Sequence, residues 1–404
     1  MKIKVSQIAD INKDSYTAKD LPKNIRYLDT GNITKNTIDE FQFLNTDKDT
    51  IPSRARRKVK NNSIIYSSVR PNLCHYGILK DPPADMVVST GFIVIDVKDD
   101  TQVDPDFLYY CLTDERYTAY IAGVAETSVS SYPSINPDTI GQLELDIPDD
   151  IEEQKNLIRI LKKLDEKSLL NNTIASILYE QLALIYDYWF TQFDFPNENG
   201  EPYRQSGGEM VHNDDLDQDI PVGWEVKKLG SIIEENEKSP VQVGQAEAAP
   251  GDFPFFTSGE KILPYEKSLV DGPFCYLNTG GLADVKFFSG PAAYSTDVWS
   301  IYGKDDLTYW LYMFLESIKP QMFQRFFDGS GLKHLQKKRL SSLKVCIPPE
   351  DIRKKFNEIA APILKEQSDI YFENQRLAQL REYLLPLLMS GQVVVNTEDN
   401  EESE

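Results

Sequence analysis

The chain has 404 residues, 41% of them hydrophobic and 26% charged, with a formal net charge of −21. That length and balance describe a folded protein of two or three domains, each able to bury its own core, and not a disordered chain. With no run of about 18 apolar residues and no apolar signal core in Met1-Lys2-Ile3-Lys4-Val5-Ser6, a membrane span and export are not expected, and the predicted location is cytoplasmic.

In chain order, residues 1–148 read as a first mixed α/β globular part. It contains the strand-like stretches Tyr27-Leu28-Asp29-Thr30-Gly31 and Val88-Ser89-Thr90-Gly91-Phe92-Ile93. The apolar run Leu108-Tyr109-Tyr110-Cys111-Leu112 follows, then a strand ending Leu145-Asp146-Ile147-Pro148. Residues 149–195 carry a long helix, predicted from about 150 to 190. Leu157, Leu161, Leu164, Ile174, Leu178, Ile185 and Trp189 fall mostly at three- and four-residue steps, an amphipathic stripe. Ser168, Asn171 and Asn172 interrupt it. Buried polar positions of this kind can fix the register of paired helices.

The stretch from Asp194 to Tyr203 is rich in turn formers, and residues 196–347 begin with this linker. A second globular part then opens at Ile220-Pro221-Val222-Gly223-Trp224. Residues 348–393 carry the second long helix, predicted from about 350 to 390, with a stripe of Phe356, Ile359, Ile363, Ile370, Leu377, Leu384 and Leu388. Forty helical residues span about 60 Å, longer than most globular helices, which favours a coiled-coil pair over helices that only cover their own domains. Residues 394–404 hold five acids in the last seven positions and read as a disordered tail.

The two halves repeat. Leu143-Glu144-Leu145-Asp146-Ile147-Pro148 is echoed by Leu343-Lys344-Val345-Cys346-Ile347-Pro348, and Val88 to Ile93 by Tyr294-Ser295-Thr296-Asp297-Val298-Trp299. Leu108 to Leu112 is echoed by Leu311 to Leu315, and Tyr27 to Gly31 by Phe255-Phe256-Thr257-Ser258-Gly259. Four matches in the same order indicate an internal duplication.

Catalytic and metal chemistry find little support. Cys74, Cys111, Cys275 and Cys346 form no C-x-x-C pair, and His75, His212 and His334 are scattered, so no metal site is expected. Asp81-Pro82-Pro83-Ala84 approaches the loop of amino-methyltransferases, but Ala84 stands where an aromatic ring would stack on the base. Gly329-Ser330-Gly331-Leu332-Lys333-His334 lacks the last glycine of a dinucleotide fingerprint, and no Walker loop occurs. The net acidity argues against tight DNA binding by the chain alone and for reliance on a partner.

Several phrases resemble the specificity (S) subunits of type I restriction–modification enzymes. These are Ile151-Glu152-Glu153-Gln154-Lys155 at the first helix start, Tyr186 to Asn197 after that helix, and Ile220 to Gly230 at the second domain's opening. Gly329-Ser330-Gly331 with Lys337-Lys338-Arg339-Leu340 is a fourth. The second helix departs from the pattern, beginning Glu350-Asp351-Ile352-Arg353-Lys354 without the Glu-Gln pair. The resemblance implies a mixed α/β (α+β) fold: two similar target-recognition domains separated by two long antiparallel helices, with pseudo-two-fold symmetry. It implies a non-catalytic subunit that reads a bipartite site in double-stranded DNA. Two DNA methyltransferase subunits would dock on the helices and restriction/translocase subunits would join. S-adenosylmethionine and ATP are then expected on those partners and no cofactor on this chain.

Basic residues mixed with polar and aromatic ones are the DNA-reading candidates. In the first half they are Arg54, Arg56, Arg57, Lys58 and Lys60, followed by Ser68, Arg70 and Asn72. In the second they are Lys261, Lys286, Ser330, Lys333, His334, Lys337 and Lys338. Guanidinium forks suit guanine edges or phosphates, and Asn suits adenine. Tyr186 and Trp189 are candidate partner anchors, with core packing as the competing expectation. The alternative functions are a structural adaptor that binds no DNA, or an anti-restriction DNA mimic, against which the Arg54–Lys60 cluster speaks.

Overall fold

The computed structural model describes residues 2–17, 19–128 and 132–392, so the acidic tail at 394–404 lies outside the described residues. The chain forms two compact units: one joins Met1–Lys167 to the segment starting at Arg376, and the other is Ser168–Gln375. Among the described residues no helix is long and apolar enough to cross a membrane.

In the first unit, two four-stranded sheets share a core. One runs in the order Gln42–Asn45, Asn24–Leu28, Met86–Ser89, Ala55–Arg57, and the other Ala9–Ile11, Phe92–Val97, Ile64–Ser67, Tyr76–Ile78. Strands Ile64–Ser67 and Phe92–Val97 are apolar almost throughout because both of their faces are covered. Ile64, Tyr66, Ile93 and Ile95 point at helix Pro105–Thr113, while Ile65, Phe92 and Val94 pack with Leu28, Met86 and Val88. Strand Lys2–Lys4 pairs antiparallel with Glu144–Asp146, just before the long helix.

The second unit repeats this plan in a six-stranded sheet of order Ile233–Glu235, Val298–Gly303, Val270–Asn278, Val285–Tyr294, Phe253–Phe256, Ile262–Tyr265. Register proves the duplication. Tyr27 and Leu28 pair in parallel with Val87 and Val88, as Phe255 and Phe256 do with Ala293 and Tyr294. Strand Glu225–Lys228 pairs antiparallel with Lys344–Ile347, the counterpart of the first unit's terminal pair. The second unit has one continuous strand, Val285–Tyr294, where the first has two, Tyr76–Ile78 and Met86–Ser89. The break contains Asp81-Pro82-Pro83, with Asp81 at a φ of 45°. Two prolines withhold ladder N–H groups, so the methyltransferase-like stretch is a strand interruption.

The long helices are Ile151–Tyr186, continued by a π-helical turn Asp187–Thr191, and Glu350–Met389. They run antiparallel within each unit. Asp165 meets Arg381 at 2.9 Å in the first; in the second, Asn171 bonds Glu373 at 2.7 Å and Asn374 at 3.0 Å, and Gln367 bonds the carbonyl of Ala175. Asn171 is fully buried, so the interruption of the apolar stripe is a hydrogen-bonded register pin. Ile174, expected in the seam, is instead partly exposed, at 37%.

Helix ends complete the domain cores. Ile158 and Leu161 of the first helix and Leu385 and Leu388 of the second lie in the first unit's core. Leu182, Tyr186, Trp189 and Phe190 of the first helix and Phe356, Ala360 and Leu364 of the second lie in the other. Gln154 is buried too: its amide donates to the carbonyls of Gln102 and Pro148 and accepts from the N–H of Asp104, which itself caps helix Pro105–Thr113. The second helix lacks this glutamine, and Asn357, one turn further on, donates to the carbonyl of Asp306 instead.

Phe356 is fully buried, with ring centroids of Phe190 at 4.9 Å, Trp189 at 6.0 Å and Tyr186 at 6.3 Å. Replacing Phe356 by Ala is expected to destabilise the second unit by about 3–5 kcal/mol, from lost transfer energy and the cavity left behind. Urea unfolding followed by tryptophan fluorescence checks this.

Candidate nucleic-acid interface

At one end of each unit's sheets, the chain crosses between strands in a set of short connections locked by main-chain hydrogen bonds. In the first unit the N–H and Oγ of Ser68 both donate to the carbonyl of Gly91 at 2.8 Å. Ile135 N donates to Ser68 O at 2.9 Å, Arg70 N to Pro133 O at 2.8 Å and Thr90 N to Arg54 O at 2.8 Å. The second unit repeats every bond. The N–H and Oγ1 of Thr279 donate to the carbonyl of Asp297 at 3.1 and 2.6 Å. Leu335 N donates to Thr279 O at 3.0 Å, Gly281 N to Lys333 O at 3.0 Å and Thr296 N to Val241 O at 2.9 Å.

These bonds define structural counterparts: Ser68 with Thr279, Arg70 with Gly281, Arg54 with Val241, Tyr132 with Leu332, Pro133 with Lys333 and Ser134 with His334. The frame is the same and its side chains are not. In the first unit the tip is cationic and polar, with exposed Arg54, Arg70 and Asn72 beside half-buried Ser68. The Arg70 guanidinium lies 4.8 Å from the centroid of the Tyr132 ring, a cation–π contact. Arg70 is left-handed, with φ 48° and ψ 59°, at the position its counterpart fills with glycine at φ 81°. An L-residue there costs roughly 1–2 kcal/mol; strain of this kind clusters at functional sites.

The predicted basic run of the first half does not form one patch. Arg54 is at the tip, whereas Arg56, Arg57 and Lys58 follow strand Ala55–Arg57 away from it. Arg56 donates to the carbonyl of Ala55, Arg57 donates to Ser15 Oγ, and the Lys58 ammonium sits 4.5 Å over the Tyr16 ring. Lys60 precedes strand Ile64–Ser67, at the end opposite Ser68. Successive side chains on an extended strand point to opposite sides, so a dense run in sequence becomes a dispersed set in space.

In the second unit, Ser330, Lys333 and His334 belong to the tip, with His334 bridged to Gly280. Lys333 is half-buried, its ammonium 4.6 Å over Phe323. Lys261 is exposed in the turn after Phe253–Phe256, where its carbonyl accepts from Thr257 Oγ1. Lys338 is exposed on the short helix Lys337–Ser341. Lys337 is turned over the Trp299 ring at 4.5 Å, 3.7 Å from Glu235. Burial holds the Lys337 ammonium below its ordinary pKa, only partly offset by Glu235.

Two predictions are corrected. Lys286 is not a free cation: its side chain is 13% exposed and bonds Asp284 at 2.7 Å, a carboxylate shared with Lys319 at 2.7 Å. Burial alone would raise the Asp284 carboxyl, but its hydrogen bonds from Lys286 and Lys319 outweigh this and hold it below the usual carboxylate range. Tyr186 and Trp189 are not surface anchors. Both are buried against Phe356 in the second unit's aromatic core, where no partner side chain can reach them.

Sequence reasoning missed Thr30, Thr90, Tyr132, Thr279, Gly280, Gly281, Leu282 and Leu332, all at the tips. The repeat carried a usable signal, since the paired Val88–Ile93 and Tyr294–Trp299 stretches run through these connections. Among the described residues no group of three or more His, Cys, Asp or Glu side chains could hold a metal.

A duplicated α/β domain with matched, exposed, divergent tips, joined through paired long helices, is the architecture of a recognition subunit. The model of the type I restriction modification DNA specificity domain matches this chain twice, over residues 1–178 and 221–382. The chain belongs to that family, and its function is DNA recognition in a type I restriction–modification system. It is 25% identical over 447 residues to the type I restriction enzyme HindI specificity subunit of Haemophilus influenzae, covering 92% of this chain and 94% of that one. It is also 25% identical over 362 residues to the MjaIX specificity subunit of Methanocaldococcus jannaschii, covering 82% and 78%. The fold matches that of the type I restriction-modification system S subunit from M. genitalium, at a TM-score of 0.55 and 15% identity over 96% of this chain and 95% of that one.

Relief of the Arg70 strain separates stability from recognition. Arg70→Gly is expected to leave thermal stability unchanged or raise it by up to about 1 kcal/mol, the left-handed penalty removed less the extra entropy of glycine. DNA binding by the same variant is expected to fall. A melting curve and a binding isotherm on one preparation check both.

Proposed function

We propose that this chain reads a bipartite DNA site, one half with each tip, and catalyses nothing itself. The observation that carries the reading is the pair of tips built on the same hydrogen-bond frame with different side chains. A shared frame presents each tip to the duplex in the same way, and the differing side chains give each half-site its own sequence. In the first unit Arg54, Ser68, Arg70 and Asn72 supply the contacts. In the second Lys261, Ser330, Lys333, His334 and Lys338 do so. Arg56, Arg57, Lys58 and Lys60 stand at most as phosphate contacts beside the first tip.

Methyltransferase subunits dock on the long helices, and restriction/translocase subunits join the full enzyme. The support is an unpartnered apolar stripe on the first helix: Leu170, Ile174, Ile177 and Leu184 are exposed at seven-residue and three- to four-residue steps. S-adenosylmethionine and ATP are bound by those partners, and the complex acts on cytoplasmic DNA. The net charge of −21 fits a subunit whose DNA affinity is expressed in the assembly.

The test is to purify the chain with its methyltransferase partner and map modified bases on host DNA. A split motif with a fixed gap supports the reading, and a chain that neither co-purifies nor confers a motif removes it. Within the complex, Arg54→Ala combined with Arg70→Ala is expected to flatten the dependence of log affinity on log salt by about 2 if both groups meet phosphate. If they meet bases, the salt slope holds and the first half-site relaxes.

A further inference from the structure

Each tip also exposes large apolar side chains that burial in a core cannot explain. In the first unit these are Leu73, 44% exposed, and Tyr132, 57%. In the second they are Leu282, 70% exposed, and Leu332, 67%. Leu332 lies over the hairpin that carries Leu282: a Cβ built on Gly280 would stand 3.7 Å from Leu332 Cδ2. The second tip thus carries two exposed leucines, one on each of the segments joined by the Gly281–Lys333 bond.

The counterparts show what these leucines replace. The first tip has guanidinium groups at 54 and 70, where the second has the buried Val241 and the half-buried Gly281. Its cation–π pair, Arg70 on Tyr132, becomes Gly281 beside Leu332. The second tip thus lacks any forked donor for a guanine edge at the two equivalent places, and offers branched alkyl groups in their stead. The tip also holds exposed Ser330 and His334 and the half-buried Lys333, and its glycines at 280, 281, 329 and 331 let main chain approach phosphate closely. In the major groove the apolar feature of a base pair is the 5-methyl group of thymine.

We infer that Leu282 and Leu332 are further base-reading residues of the second domain, and that they recognise thymine 5-methyl groups in its half-site. This rests on the tips being the DNA interface. The second domain then adds apolar contact at the places where the first offers guanidinium forks, so the two half-sites differ in chemistry as well as sequence.

The assembled methyltransferase complex is tested on synthetic duplexes of its own motif, with every thymine of one half-site, then of the other, replaced by uracil. Uracil keeps all hydrogen-bonding groups and removes only the methyl. In one half-site the replacement is expected to weaken binding roughly 3- to 10-fold, the range for one or two lost methyl contacts. A complex carrying Leu282→Ala and Leu332→Ala binds the thymine and uracil forms of that half-site equally. Both side chains are solvent-exposed, so the variant keeps its fold, and melting curves confirm it. Uracil tolerance in both half-sites, or a thymine preference that survives in the double variant, overturns the inference. If Arg54→Ala with Arg70→Ala still impairs binding in that event, the tip interface stands and only the apolar reading falls. If neither pair of substitutions matters, the interface reading falls as well.

Discussion

The structure depends on helix ends finishing the cores of globular domains. In the second unit, the end of the first long helix supplies Leu182, Tyr186, Trp189 and Phe190, and the start of the second supplies Phe356, Ala360 and Leu364. The first unit is closed in the mirrored manner, by the start of the first helix and the end of the second. Neither domain has a complete apolar interior without residues about 200 positions away in sequence. Tight packing makes such a contact sensitive to single methylene groups, so helix register and domain folding are specified together. Asn171 with Glu373 and Asn374, and Asp165 with Arg381, add the polar half of that specification. A one-turn slip would leave buried polar groups without partners, which is costlier than losing apolar contact alone.

The sequence was most legible where physics constrains it twice. Val88–Ile93 and Tyr294–Trp299 could be matched because each must pass from one parallel strand into an antiparallel neighbour, and the observed registers coincide with that match. The long helices were legible through their period. Tyr186 and Trp189 were ambiguous because an aromatic at helical spacing serves a core or an interface equally, and only the position of Phe356 decides. The interface was the least legible part. Arg54 to Lys60 look like one patch in a line of letters, but a strand turns alternate residues away and carries the run from one end of the sheet to the other. Lys286 was misread for a related reason: its partner Asp284 is only two residues away, yet Lys319, which completes the cluster, is remote in sequence.

The loss of the Glu-Gln pair at the second helix start looks like decay of a motif, and the structure gives it a mechanical meaning. Gln154 joins three main-chain groups, tying the helix start to the loop before Pro105–Thr113. In the other half Asn357 makes a single comparable bond from a different turn of the helix. Gln154 is thus a clamp, and the other half of the molecule manages with a simpler one.

The frame of each tip is tied almost wholly by backbone N–H and carbonyl groups. Backbone bonds do not depend on which side chain each residue bears, so residues such as 70, 132, 282 and 332 can change without dismantling the scaffold. A recognition surface of this construction is open to diversification: side chains can be exchanged while the main-chain frame is kept. The two copies within this chain, one bearing Arg and Tyr and the other Gly and Leu at matched places, are such a divergence already recorded in a single molecule.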